Sequence, residues 1–420
     1  MGSYCELKFD EISIASQKSY VPDEFICLFQ ESDWRSQINE GLEEEGAVGY
    51  FAGRAAIIER LDLMGYTAEN AQRHFEEWLR SERENYSEHE EEEPGGWATE
   101  TAAALRTLTY EEWLSRARDV LLTRYDFDRP MNGYKDETDR QMRDPSDGWL
   151  FYDSNILPII RSFLIVFPDI KEVSLDISAL IGGGWINEDD KICETRRSPD
   201  LQPRSDLQAT VIIGEGSTDI VVLKQSLQKL YPYLTDYFAF FDYESPRVDG
   251  GASYLLKFLR AFAAARINTN IIAVFDNDAE GAAIFTQASS ISLPTNIRVM
   301  KLPDITLARN YPTIGPQGNH KIDINGKAVS IELFLGRHNL SGNDGELFPI
   351  VWSNRVSASR QYQGALEEKP TVLSRFMQEM SQSHKTDHYH TRFPELVILW
   401  EHIFALRKNT PRIIELGGWY

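Results

Sequence analysis

The sequence predicts an α/β protein: a mainly parallel sheet flanked by helices, preceded by an α+β segment and followed by a helical one. Three observations carry this expectation. From residue 209 onward, short apolar runs alternate with helical patterns at the spacing of strand-helix-strand units. Two of those runs end in carboxylates beside glycines. The flanking regions differ in periodicity, mixed before residue 200 and mainly helical beyond 345. A chain of 420 residues exceeds one ordinary core. Three regions are therefore expected, 1–200, 205–345 and 346–420, with 303–328, rich in Pro, Gly and Asn, as an irregular insertion.

The N-terminal 40 residues alternate short apolar runs with turn residues. Helical spacing follows over 53–66, through Ala55, Ile58 and Leu61, and over 68–80, through Ala71, Phe75 and Leu79. The acidic run Glu88 to Glu93, closed by Pro94-Gly95-Gly96, reads as a solvated loop. Thr109-Tyr110-Glu111-Glu112 has the form of a capping box, and Trp113, Leu114, Ala117, Val120 and Leu121 continue one helical face. An apolar element over 155–167 and a strand over 173–177 precede a polar boundary running from Asn187 through Pro203. Strands are then expected over 210–213, 237–241, 271–275 and 297–302, with helices over 220–230, 254–265 and 282–288. The C-terminal region places Val372, Phe376 and Met380, then Leu396, Leu399, Ile403 and Leu406, on apolar helical faces.

Composition excludes several classes of function. With 43 Lys and Arg against 65 Asp and Glu, the formal charge is −22. Such a chain does not coat nucleic acid by electrostatics alone, so a polyanionic substrate requires local cations, metal ions or a partner. No stretch approaches the roughly 20 apolar residues of a membrane span. The first residues, Met1 to Glu6, carry neither a basic-then-apolar leader nor a myristoylation pattern. Cys5, Cys27 and Cys193 lie far apart without metal-ligand spacing, as suits reduced thiols. A cytoplasmic location is expected. No Gly-x-x-x-x-Gly-Lys-Ser/Thr occurs, so an ATPase, if one gates the activity, comes in trans.

The chemistry concentrates at two strand ends. Val211-Ile212-Ile213-Gly214-Glu215-Gly216 places Glu215 just past an apolar strand, between glycines, with Asp219 at the start of the next helix. Ile271 to Phe275 runs into Asp276-Asn277-Asp278, with Gly281 beyond. In a parallel sheet both sets of acids face the carboxyl edge, where such sheets carry their chemistry. Acids crowded together raise one another's pKa unless a cation compensates them, and sparse oxygen ligands suit Mg²⁺ or Mn²⁺. Gly250-Gly251 reads as a tight turn into a helix, with phosphate binding by its amides as the competing reading. Arg83 with His89 has a loose likeness to a ribonuclease Arg-His pair, but the acidic surroundings favour a solvated surface. His384, His388 and His390 beside Asp387 read as a polar surface turn rather than a zinc site.

The acid pattern resembles the Toprim family, shared by topoisomerases, bacterial primases and the overcoming-lysogenization-defect nucleases. Glu215 matches its Glu, and Asp276 and Asp278 match its Asp-x-Asp. Asp219, in the form Glu-Gly-x-x-Asp, is similar to the nuclease branch, as is Ser330-Ile331-Glu332. The resemblance implies a Rossmann-like Toprim core and one or two Mg²⁺ or Mn²⁺ ions held by Glu215, Asp219, Asp276, Asp278 and Glu332. Glu215, Asp276, Asp278 and Lys369 are implied as catalytic. Met1 to Tyr4, Tyr20 to Glu24 and Leu175 to Ser178 resemble the HEPN/Toprim-associated domain that precedes Toprim in prokaryotic conflict-system proteins.

Together these features imply a metal-dependent nuclease cutting DNA or RNA, of the anti-phage defence kind. Its N-terminal domain would sense or restrain, a sensor protein or ATPase would act in trans, and a homo-oligomer is compatible with it. Two alternatives stand beside it: hydrolysis of nucleotides or another small phosphate ester, and a non-catalytic Toprim binding subunit of a larger complex.

Overall fold

The computed structural model describes residues 2–36, 47–123, 133–144, 148–197, 207–244, 248–355 and 362–408. The chain divides into two compact units, Met1–Leu207 and Gln208–Tyr420.

The N-terminal unit is built on a five-stranded antiparallel sheet of β1 (Tyr4–Phe9), β2 (Ile12–Lys18), β3 (Trp34–Ser36), β4 (Val48–Gly53) and β5 (Glu172–Asp176). Their order is β2-β1-β5-β4-β3, so β5 inserts between strands that precede it by more than a hundred residues. In β1, Cys5, Leu7 and Phe9 are buried while the residues between them face outward, the period of two that a half-buried strand imposes. Gly49 is required in β4, because a Cβ there would lie 2.0 Å from the Leu175 carbonyl oxygen.

The helices of this unit surround an aromatic core. Phe75, Tyr110, Trp113, Tyr152 and Phe163 meet at ring separations of 5.1 to 6.0 Å, and the Trp113 indole N–H donates to the Trp149 carbonyl at 2.7 Å. Thr109 caps the helix Tyr110–Leu122 by accepting from the Glu112 N–H, while the Glu112 carboxylate is engaged by Arg116. The loop expected at Glu88 to Glu93 is instead helical as far as Glu92, since the helix Ala68–Glu92 continues through it. Glutamate is a good helix former. The following helix, Ala98–Thr107, also supports this end: Arg106 meets Glu90 at 2.6 Å, and Arg83 donates to the carbonyls of Leu105 and Leu108. Arg83 therefore closes a helix C-terminus.

In the C-terminal unit β6 (Thr210–Ile213), β7 (Phe238–Phe240), β8 (Ile271–Phe275) and β10 (Ile297–Lys301) form a wholly parallel sheet in the order β10-β8-β6-β7. The helices Ser217–Leu230, Ala252–Ala264 and Ala279–Ser289 follow β6, β7 and β8 in turn. Every residue of β8 is buried, as expected of a strand covered on both faces. Ile213, Leu255, Leu259, Ala273 and Phe275 share the core on one side.

Residues 303–328 are more regular than their composition suggests. A 3-10 turn over Thr306–Asn310 leads into a hairpin of β11 (Tyr311–Gly315) and β12 (Gly318–Ile322), with Gly318 at φ +101° supplying the turn. The glycines that made the segment look irregular close the hairpin, while Tyr311 and Thr313 are buried in alternation. Strands β14 (Ile350–Arg355) and β15 (Tyr362–Leu366) join this hairpin in a second sheet, ordered β12-β11-β14-β15. They precede the helices Lys369–Met380, Thr386–Arg392 and Pro394–Lys408. The last is tied to the helix after β6 by a bond from the Trp400 indole to Ser226.

Candidate metal centre

The adjacent strands β6 and β8 run in the same direction, so their carboxyl ends deliver Glu215 and Asp276 side by side. The Glu215 carboxylate accepts a hydrogen bond from the Asp276 N–H at 2.9 Å. Asp219, in the first turn of the helix Ser217–Leu230, folds back and accepts from the N–H groups of Glu215 and Gly216 at 2.8 and 3.0 Å. Gly214 makes this closure sterically feasible, because a Cβ there would lie 2.7 Å from that of Asp219. Tyr243 donates its hydroxyl to the Gly214 carbonyl.

Asp278 caps the helix Ala279–Ser289 by accepting from the N–H groups of Glu280 and Gly281. Its other oxygen accepts from the side-chain amide of Gln363 on β15. Gly281 lets this helix approach, since a Cβ there would stand 2.4 Å from the Asp276 carbonyl oxygen and 3.0 Å from the Glu215 carboxylate. Asn277, fully buried between the two aspartates, donates to Asp304 and accepts from Lys301.

Glu332 arrives through tertiary pairing. Strand β13 (Ala328–Val329) pairs antiparallel with β9 (Asn277–Asp278), and the 3-10 turn Ile331–Phe334 that follows carries Glu332. That carboxylate is buried, accepts from Ser330 at 2.5 Å and meets Lys369 at 3.2 Å. Lys369 is the first residue of the helix Lys369–Met380.

These groups act on one another electrostatically. Burial pushes Glu215 up to about 8, opposed by the Asp276 N–H and reinforced by Asp278, Asp219 and Glu280. Burial and then Glu332 raise Asp219 to about 6, against its backbone donors and Lys369. Asp276 is held well above the usual carboxylate range by burial and by Asp219, Glu215, Asp278 and Glu332. Burial alone would lower Lys369, but Glu332, Asp276 and Asp219 outweigh it and keep the ammonium charged.

Such a concentration of buried carboxyl groups, all of them hard oxygen donors once ionised, fits a divalent cation of the Mg²⁺ or Mn²⁺ type rather than zinc. Among the described residues no three of these acids form a ready coordination cage. Several of their oxygens are instead held by protein donors, which leaves a sparse donor set of the kind Mg²⁺ completes with water and phosphate.

All the acids singled out in the sequence, Glu215, Asp219, Asp276, Asp278 and Glu332, lie in this cluster with Lys369. Sequence reasoning missed Gln363 and the Asn277-Lys301-Asp304 set; no local motif announces them. The Gly250-Gly251 pair serves chain packing. Gly251 donates its N–H to the Glu215 carbonyl at 2.6 Å, and a Cβ on Gly250 would lie 2.7 Å from that same oxygen. Of the three histidines, His390 contacts the Leu230 carbonyl at 2.8 Å and His384 contacts Gln382, and the described residues place no metal set around them.

Comparison with known proteins bears on the first half of the chain. Residues 1–198 match the family model of HEPN/Toprim N-terminal domain 1, so the N-terminal unit is similar to that domain. No curated protein and no solved structure matches the chain.

Proposed function

We propose that the C-terminal unit hydrolyses phosphodiester bonds in DNA or RNA with the help of Mg²⁺ or Mn²⁺, as a nuclease of the Toprim kind. The carrying observation is the delivery of Glu215 and Asp276 by two adjacent parallel strands into a pocket of charge shared with Asp219, Asp278, Glu332 and Lys369. The match of residues 1–198 to a HEPN/Toprim N-terminal domain supports a nuclease-related role, and use in anti-phage defence belongs to the same proposal.

Glu215, Asp276 and Asp278 would hold the cation, with Asp219 and Glu332 adding nearby negative charge when ionised. When bound, that cation polarises the phosphate and lowers the pKa of a water. Asp219 fixes the loop that aims Glu215, through the two N–H groups it accepts. Asp278 is oriented by the helix it caps. Lys369, protonated at Nζ and steadied by Glu332, offers positive charge and a proton to the departing oxygen.

Cleavage of plasmid DNA, single-stranded DNA and total tRNA, with Mn²⁺, Mg²⁺ or chelator, tests this. Cutting should require the metal, and Glu215→Ala and Asp276→Ala should each lose at least about a hundredfold, on the scale of a metal's several kcal/mol. Cutting that survives both substitutions and chelator would sink the proposal. The charge of −22 favours a second reading, a nucleotide or other small phosphate ester as substrate. Metal-dependent hydrolysis of free nucleotides, with every polymer left intact, would decide for it.

A further inference from the structure

Gln363 lies on β15, 85 residues from Asp278 in sequence, yet its amide nitrogen donates to the Asp278 carboxylate. The backbone explains how it reaches. Gly364 has no side chain, and a Cβ there would stand 2.8 Å from that of Ala328 and 2.5 Å from Ile350. Strand β15 therefore lies close over β13, and Ala328 of β13 is the direct partner of Asp278. Gly364 brings Gln363 onto the acid.

An amide has two ends of opposite character. Gln363 turns its nitrogen to a carboxylate oxygen of Asp278, which accepts, and so turns its own oxygen away. That oxygen is buried and has no hydrogen-bond partner among the described residues. A buried acceptor left empty costs about 1–3 kcal/mol. Among the described residues none supplies a donor to it, whereas hydrated Mg²⁺ or Mn²⁺ carries donors in its water shell.

We propose that Gln363 is a positioning residue of the metal centre: its nitrogen fixes the Asp278 oxygen that does not cap the helix, and its oxygen accepts from a hydration water of the cation. The inference rests on the metal-dependent reading above. It adds β15 to the site and makes the second sheet of this unit a support for the first sheet's acids.

The test is Mn²⁺ binding at neutral pH, read by the EPR signal of the free ion, together with the melting temperature of the metal-free protein. Gln363→Met keeps length and volume but removes both polar ends. Gln363→Asn keeps the amide but falls one methylene short. Both should weaken Mn²⁺ binding on the order of ten- to a hundredfold, as loss of an outer partner of a metal ligand does, with the metal-free melting temperature nearly unchanged. Gly364→Ala should weaken binding in the same direction by displacing β15. A merely structural glutamine would lower the metal-free melting temperature and leave the affinity as it was, and that outcome overturns the proposal. If wild-type protein binds no Mn²⁺, or Glu215→Gln binds it as well as wild type does, the metal reading itself fails and the role of Gln363 falls with it. Wild-type binding sensitive to Glu215→Gln but insensitive to both Gln363 variants removes Gln363 alone.

Discussion

At the scale of single residues, Asp219 does two things that a pair of substitutions can separate. Its carboxylate accepts from the N–H groups of Glu215 and Gly216, and its charge adds to the crowding around Asp276. Asp219→Asn retains a carbonyl acceptor for the loop and removes the charge, so the metal-free protein should melt no lower than wild type. Asp219→Ala leaves two backbone donors without their partner and should cost about 1–2 kcal/mol. Calorimetric melting of the two variants checks this, and equal destabilisation by both would show that the charge, not the loop contact, matters. Both should bind Mn²⁺ more weakly.

At the scale of elements, the site depends on how closely the helix Ala279–Ser289 docks against the ends of β6 and β8. Gly281 sets that distance: an added methyl group would meet the Asp276 carbonyl oxygen, which is backbone and yields little. Gly281→Ala should therefore cost about 1–3 kcal/mol, the usual range for overpacking. It should also reduce cleavage more than its melting temperature suggests, because it pushes Asp278 away from Glu215. Denaturant unfolding and cleavage rates on the same preparation test the pair of effects; a variant as stable and active as wild type would show that the interface has slack. The end of the helix Ala68–Glu92 makes a related point about elements. Its acidic run has the composition of a loop, yet the helix continues through it, where Arg106 of the following helix pairs with Glu90 and Arg83 of the long helix holds that following helix through the Leu105 and Leu108 carbonyls.

At the scale of the whole molecule, the acid cluster links stability to pH. The folded pKa values of Asp219 and Glu215, about 6 and about 8, lie above those of free carboxyls, so the folded state binds their protons more tightly. The resulting stability is fully present below the unfolded carboxylate range and is lost as pH rises through the folded values. The metal-free protein should therefore lose melting temperature between about pH 5 and about pH 8, less steeply in Glu215→Gln. Saturating Mn²⁺ at the upper end should restore it, since a bound cation favours the ionised acids and the folded state alike. A metal-free melting temperature that is flat or rising over this range would contradict the crowding described here.

Much of this molecule is legible in its sequence because the signals are local. The apolar runs before Glu215 and Asp276, and the glycines beside them, identify strand ends at a parallel sheet's chemical edge, and the tertiary structure places those acids together. Helical spacing likewise locates the helix Tyr110–Leu122 and the C-terminal helices. Composition misleads where a residue has two uses: glycine and proline in 303–328 read as an irregular segment, while Gly315 and Gly318 flank the turn of a hairpin. What the tertiary structure alone decides are contacts between segments distant in the chain. The antiparallel pairing of β13 with β9 delivers Glu332, the start of a late helix delivers Lys369 to it, and the missing side chain of Gly364 admits Gln363 to Asp278. None of these follows from neighbouring residues, because each depends on where a different strand comes to rest. The sequence by itself determined the acids and their strands; only packing decided which distant side chains complete their surroundings.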